Sequence, residues 1–212
     1  AEKEIDELIK WNLFKRELIG IHAIAMNGRQ AAKFKAIVWC PDSNYFLIGK
    51  TAVINELKHK TEILFGTDST LSAKWNLWDH LRLARQEKMM GDNELFDALT
   101  ANAANIWGMS SCGSIVKNNS ADVVIARREK GLNGMDSFFA VNPEDILMVM
   151  HKGQIVLLDD EIHTQLLNGG IPLNDFHKIT INGIGKYVLG NLPELIKAIR
   201  EYYPEANFPV TC

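Results

Sequence analysis

Cysteine is scarce in this chain: Cys40, Cys112 and Cys212 are the only three in 212 residues, an odd and widely spaced set without a Cys-x-x-Cys pair. That excludes a disulfide framework and a cysteine-built structural zinc site. Long apolar runs are missing as well, since no window approaches the roughly 18 apolar residues that a membrane-spanning helix needs. The opening residues, Ala1-Glu2-Lys3-Glu4-Ile5-Asp6, are charged and have no apolar signal core. A soluble, cytoplasmic protein with no membrane partner is expected. Nor is there an excess of one charge: 23 basic residues against 26 acidic give a formal net charge of −3. No basic run alternates with aromatics, so nucleic acid is not an expected partner. The six histidines, His22, His59, His80, His151, His163 and His177, include no His-x-His and no His-Glu-x-x-His pair.

What the chain has is a 47% hydrophobic content over 212 residues, enough to bury the core of one or two domains. Its most informative stretch is Ile63-Leu64-Phe65-Gly66-Thr67-Asp68-Ser69-Thr70, an apolar strand running into an acid at its C-terminal end. Parallel α/β folds place their chemistry at such positions. A carboxylate held there, after a glycine that permits close approach, can bind a cation or move a proton. The same letters also describe a helix start, with Asp68, Ser69 or Ser72 as N-cap of a helix beginning near Ala73.

The flanks repeat the pattern. Ile19-Gly20-Ile21 runs into His22 and Ala23, and Ala36-Ile37-Val38-Trp39 runs into the turn Cys40-Pro41-Asp42-Ser43-Asn44. Three successive strands thus end in His22, a Cys-Pro-x-Ser-Asn turn and Asp68. The periodicity predicts a helix over 4–14, strands at 19–23 and 36–39, and short helices at 28–33 and 52–59. It also predicts a strand at 62–65 and helices over 73–86 and 92–107, a β-α-β-α-β rhythm that signals a parallel sheet. Trp75 and Trp78, three apart, are expected to pack the 73–86 helix inward. His59 and His80 are expected to be helix residues with packing or solvent roles. Beyond Gly113 the texture turns to strands, at 114–117, 122–126, 146–151 and 154–158. Lys152-Gly153 suits a hairpin and 130–136 reads as a loop. Two strands and a helix over 192–203 close the chain.

In this order of motifs the chain resembles the amidohydrolase superfamily, most closely the branch of cytosine and guanine deaminases and chlorohydrolase-like enzymes. The resemblance runs over roughly residues 3–160. It includes Leu95-Phe96-Asp97-Ala98-Leu99-Thr100 with Asn102-Ala103-Ala104 and Gly108, then Gly113-Ser114-Ile115 and Ala121-Asp122-Val123-Val124-Ile125. It implies an α/β fold: the C-terminal part of a (β/α)8 TIM-type barrel, strands 6–8, over residues 1–110. Part of a composite β-sandwich would follow over 111–165, and a strand-strand-helix extension over 166–212. The family's His-x-His and fifth-strand His are absent, and a full barrel needs about 250 residues. The chain is therefore expected to be the C-terminal part of a larger enzyme, whose missing N-terminal barrel half is its partner, and to self-associate through uncovered sheet.

The chemistry that the resemblance implies is hydrolysis of a C–N bond in a small-molecule substrate by metal-activated water. Asp68 would be both metal ligand, to zinc or iron, and the proton acceptor. His22 would orient the attacking hydroxide or polarise the substrate. Trp39, Ser43 and Asn44 would shape the substrate pocket, with Trp39, where the family usually has His, giving a flatter and more apolar wall. Cys40 is not expected to be a nucleophile. The alternative is a non-catalytic scaffold or oligomerisation module that has lost the metal.

Overall fold

The computed structural model describes residues 2–212, and the chain divides into two compact units, the first ending at Ser114 and the second beginning at Ile115. In the first unit the elements run α1 (Glu2–Trp11), β1 (Ile19–Ile21), α2 (Gly28–Ala31), β2 (Ala36–Trp39), α3 (Pro41–Ile48), α4 (Ile54–Leu57) and β3 (Glu62–Phe65). Then come α5 (Leu77–Glu87), α6 (Asp92–Leu99) and α7 (Ala101–Ile106). β1, β2 and β3 form a parallel sheet in that order, with Ile19 opposite Ala36 and Ala36 opposite Glu62. Helical crossovers are what parallel neighbours require. Ala36 and Leu64 on the sheet pack with Ile106 of α7, and Ile19, Val38 and Ala103 surround them.

Local chemistry sets the boundaries. Asn27 and Gln30 cap α2 reciprocally, each side chain bonding the other's backbone N–H at 3.0 and 3.1 Å. β1 stops at Ile21, short of the expected 23, because His22 and Ala23 take positive φ of 68° and 53°. α3 lies where a simple turn is expected: Pro41 occupies its first position, and Gly49, at φ 74°, ends it. α5 begins at Leu77 rather than near 73. Its N-cap is Asn76, which accepts from Trp78 N at 3.1 Å, so none of Asp68, Ser69 and Ser72 is the cap. Trp75 consequently precedes the helix and is exposed, while His80, Leu81 and Ala84 form its buried face. The expected 92–107 helix breaks at Thr100, whose φ of −121° and ψ of −96° leave helical space and whose hydroxyl donates to Phe96 O at 2.7 Å.

The second unit contains β4 (Val123–Ala126), α8 (Gly134–Ala140), a 3-10 turn at Pro143–Asp145, β5 (Ile146–His151) and β6 (Gln154–Asp159). It continues with α9 (Asp160–Asn168), β7 (Phe176–Ile181), β8 (Ile184–Leu189) and α10 (Leu192–Tyr202). The five strands form an antiparallel sheet ordered β4-β5-β6-β8-β7. Both tight hairpins use a polar–Gly pair at positive φ, Lys152-Gly153 at 50° and 80° and Asn182-Gly183 at 47° and 83°, the backbone that matches strand twist. Because β8 pairs with β6, the sheet crosses the expected boundary at 165/166, and residues 166–212 are not a separate extension. Residues 114–117 form no strand, and Ile115 and Val116 are exposed. Inside the unit Lys186 is fully buried. Its ammonium reaches Asp159 Oδ2 at 2.5 Å, Glu144 O at 2.6 Å and Ile146 O at 2.7 Å. No helix among the described residues is long and apolar enough to cross a membrane.

Candidate functional site

Parallel strands bring their C-terminal ends to one edge of the sheet, and here those ends carry the polar side chains. His22 follows β1, its N–H donating to Val38 O at 3.0 Å and so extending the ladder by one residue. Ser43 and Asn44 lie in the first turn of α3, directly after β2. Asp68 follows β3 across Gly66-Thr67, with Gly66 N bonded to Trp39 O at 3.0 Å. Gly66 is required by packing, because a Cβ there would meet Val38 Cγ1 at 2.7 Å and Cys40 Sγ at 3.0 Å. Asp68 itself has φ 62°, so two of the three strand ends place a functional residue in the left-handed region that favours glycine.

His22 Nε2 lies 3.6 Å from Asp68 Oδ2, too long for a hydrogen bond. The two side chains keep 34% and 30% of their surface open to solvent. Asp68 Oδ2 accepts from Ser43 Oγ at 2.5 Å and from Ser72 Oγ at 3.4 Å, and the two hydroxyls are 2.9 Å apart. The Ser43 hydroxyl contributes most to holding the Asp68 carboxyl below its ordinary 3.8. Desolvation opposes it, and the Ser69 N–H, the His22 ring and the Ser72 hydroxyl reinforce it. The group is a carboxylate at neutral pH. Cys40 is different: burial, and then the negative charge of Asp68, push its thiol from 9.0 up to about 11. Cys40 is a neutral thiol and not a nucleophile.

The residues expected to line a substrate pocket stand behind this pair. Trp39 is fully enclosed, meeting Phe65 edge-on at 6.2 Å between ring centres, and its indole N–H donates to Thr51 Oγ1 at 2.7 Å. It offers no surface to a substrate, so the expected apolar pocket wall is corrected to a core contact. Ser43 and Asn44 are also completely buried. They touch the site through its functional groups, Ser43 through Asp68 and Asn44 through His22 Nδ1, which lies 2.8 Å from Asn44 Oδ1.

Four further residues belong to this arrangement, and three of them, Ser72, Thr51 and Asp42, carry no sequence signal as site residues. Ser72 bonds Asp68, and Thr51 joins Asn44 to Trp39. Asp42 accepts from Lys74 N at 2.8 Å while His80 Nε2 donates to Lys74 O at 2.6 Å. Asp42 and His80 thereby grip both backbone polar groups of Lys74, in the loop that carries Ser72. A histidine on the buried stripe with Leu81 and Ala84 is the readable trace of His80.

The family resemblance implies a divalent metal, which needs a converging set of donors. Among the described residues no three His, Cys, Asp or Glu side chains converge, and catalytic zinc generally takes three protein ligands. His22 and Asp68 alone do not fit a complete metal site.

The sequence model of the amidohydrolase family matches residues 12–156, and the chain belongs to that family. Its fold is similar to that of triazine hydrolase from Arthobacter aurescens, with TM-score 0.56 and 20% identity over 73% of this chain and 40% of the other. It is also similar to E. coli guanine deaminase, with TM-score 0.56 and 18% identity over 65% of this chain and 38% of the other. The chain spans about two fifths of the length of these structures. No curated protein sequence matches it.

Proposed function

We propose that this chain carries the acid–base part of an enzyme that hydrolyses a C–N bond in a small molecule. Its parallel strands would be strands 6–8 of a (β/α)8 barrel. The observation that supports this most is the pairing of His22 and Asp68 on adjoining strand ends, with a 3.6 Å gap and a carboxylate held ionised by Ser43. In this reading a water bound beside the two attacks an sp2 carbon and gives its proton to Asp68. His22 orients that water through Nε2. The proton on Asp68 then passes to the departing nitrogen as the C–N bond breaks, which returns Asp68 to its starting state. Zinc or iron, if bound, would take Asp68 as one ligand and need further donors from outside this sequence.

The test is amine or ammonia release from a panel of amides and amino-heterocycles by the complete gene product. Asp68→Asn should lower kcat by about 10²–10⁴-fold, the range for loss of a general base, with the thermal midpoint held. Retained turnover in that variant overturns the assignment.

A further inference from the structure

We propose that Asp42 and His80 are positioning residues that lock the loop after β3, so that Ser72 stays in reach of Ser43 and Asp68. The loop is long: residues 66–76 contain no helix or strand, and it carries both Asp68 and Ser72. The order of donation among the three polar groups follows from Asp68. A carboxylate only accepts, so the single hydrogen of Ser43 Oγ goes to Asp68 Oδ2 at 2.5 Å. The Ser43–Ser72 contact of 2.9 Å then needs the hydrogen of Ser72. Ser72 thus donates to Ser43 and Ser43 to Asp68, a chain in which each bond strengthens the next.

The far end of that chain is held two residues on, at Lys74. Asp42 Oδ2 accepts from Lys74 N at 2.8 Å, and Asp42 adjoins Ser43 in the first turn of α3. Lys74 O faces His80 Nε2 at 2.6 Å. A carbonyl oxygen only accepts, so Nε2 carries the hydrogen and Nδ1 is left as a lone pair. His80 has no exposed surface, and among the described residues its Nδ1 finds no hydrogen-bond partner. A sealed lone pair without a donor costs stability, and a leucine on this stripe of α5, beside Leu81 and Ala84, would avoid that cost. The bond to Lys74 O therefore accounts for the histidine better than the space it fills. Three elements meet at one residue: α3 through Asp42, α5 through His80, and the loop itself.

The lock can be read without any substrate, whereas its consequence for turnover rests on the proposed function. The reporter is amide hydrogen exchange at Ser72, whose N–H bonds Ser69 O at 3.0 Å rather than either clamping side chain. His80→Leu should speed that exchange about tenfold, the scale of losing one hydrogen bond, with the amides of β2 and β3 unchanged. His80→Gln, whose side-chain amide donates from near the position of Nε2, should stay close to wild type. Long-range 1H–15N spectra of the wild type should show His80 as the Nε2–H tautomer. An Nδ1–H tautomer, an unchanged Ser72 amide in folded His80→Leu, or equal effects of leucine and glutamine overturns the proposal.

Should His80→Leu fail to fold, Asp42→Ala decides, at a half-buried position. It opens the other side of the lock and should speed exchange at Ser72 as well, so wild-type exchange there overturns the proposal. In the complete gene product both substitutions should lower kcat, by up to about 100-fold as small misplacements at a reaction site do, with KM little changed and His80→Gln near wild type. Faster exchange with wild-type kcat overturns the positioning role. If Asp68→Asn keeps its turnover, the proposed function falls, and exchange at Ser72 alone decides the lock.

Discussion

Two polar clusters in this molecule make opposite use of the same ingredients. In the second unit Lys186 and Asp159 are sealed in the sheet, and three acceptors take the three ammonium protons. Asp159 spends its other oxygen on Glu161 N at 2.8 Å, capping α9. Nothing is left to react. At the strand ends of the first unit, Asp68 and His22 remain about one third open, and their facing atoms do not bond each other. The supporting groups are buried or half-buried: Asn44 and Trp39 both hydrogen-bond to Thr51, and Ser43 bonds Asp68 and Ser72. A closed network holds a fold, and a network left open at two facing side chains suits the reaction site proposed above.

Breaking the closed cluster should have the largest effect on stability. Lys186→Met strands the Asp159 carboxylate and should cost about 3–5 kcal/mol, read by denaturant unfolding. Lys186→Met with Asp159→Leu should recover much of that loss, because no charge is then left buried alone. If the single and double variants unfold alike, the pair is not the clamp described. Gly66→Ala comes next. Its new methyl would press on Val38 and Cys40, and overpacking of this kind costs about 1–3 kcal/mol. It should also lower turnover by moving Asp68, whereas full activity with wild-type stability would show that the strand ends yield freely. The open cluster should give the converse result. Asp68→Asn should leave the unfolding midpoint within about 0.5 kcal/mol of wild type, the range of ordinary surface changes, while turnover collapses.

The smallest effect is one of pH. Asp122, beside the Lys152-Gly153 hairpin, is held from 3.8 down to about 2, first by the Lys152 N–H, then by Ser120, with desolvation opposing and His151 adding. A lowered folded value means that its contribution is complete above about 3.8 and is lost as pH falls through about 2. Acid titration of unfolding should therefore show a shallow loss in that window which Asp122→Asn removes. An identical acid limb in the variant would show that Asp122 is not its source.

Much of the scaffold was legible in the letters. The strands at 36–39 and 62–65 were read to the residue, because each is an apolar run closed by Cys-Pro or by Gly. The Lys152-Gly153 hairpin was read for the same reason, since turn chemistry is local. α3 was not, because Cys-Pro-Asp-Ser-Asn has the composition of a turn, yet Pro at a first helical position and Gly at the end are also the marks of a helix. Ile115 and Val116 suggested a strand but find no sheet partner, so propensity without pairing failed there. At the site, His22 and Asp68 could be picked out because a strand end is a local feature. The burial of Trp39 and the part played by Thr51 could not. Both depend on a contact twelve positions apart in sequence that only the fold creates.

Under the proposed function, the left-handed backbone at His22 and Asp68 sets stability against function. Glycine adopts those angles without the Cβ penalty, which runs at roughly 1–2 kcal/mol for an ordinary residue. Selection for heat resistance alone should thus drift toward His22→Gly and Asp68→Gly, giving hardier and inert proteins. On that function, histidine and aspartate at those angles record a trade of backbone ease for side-chain chemistry.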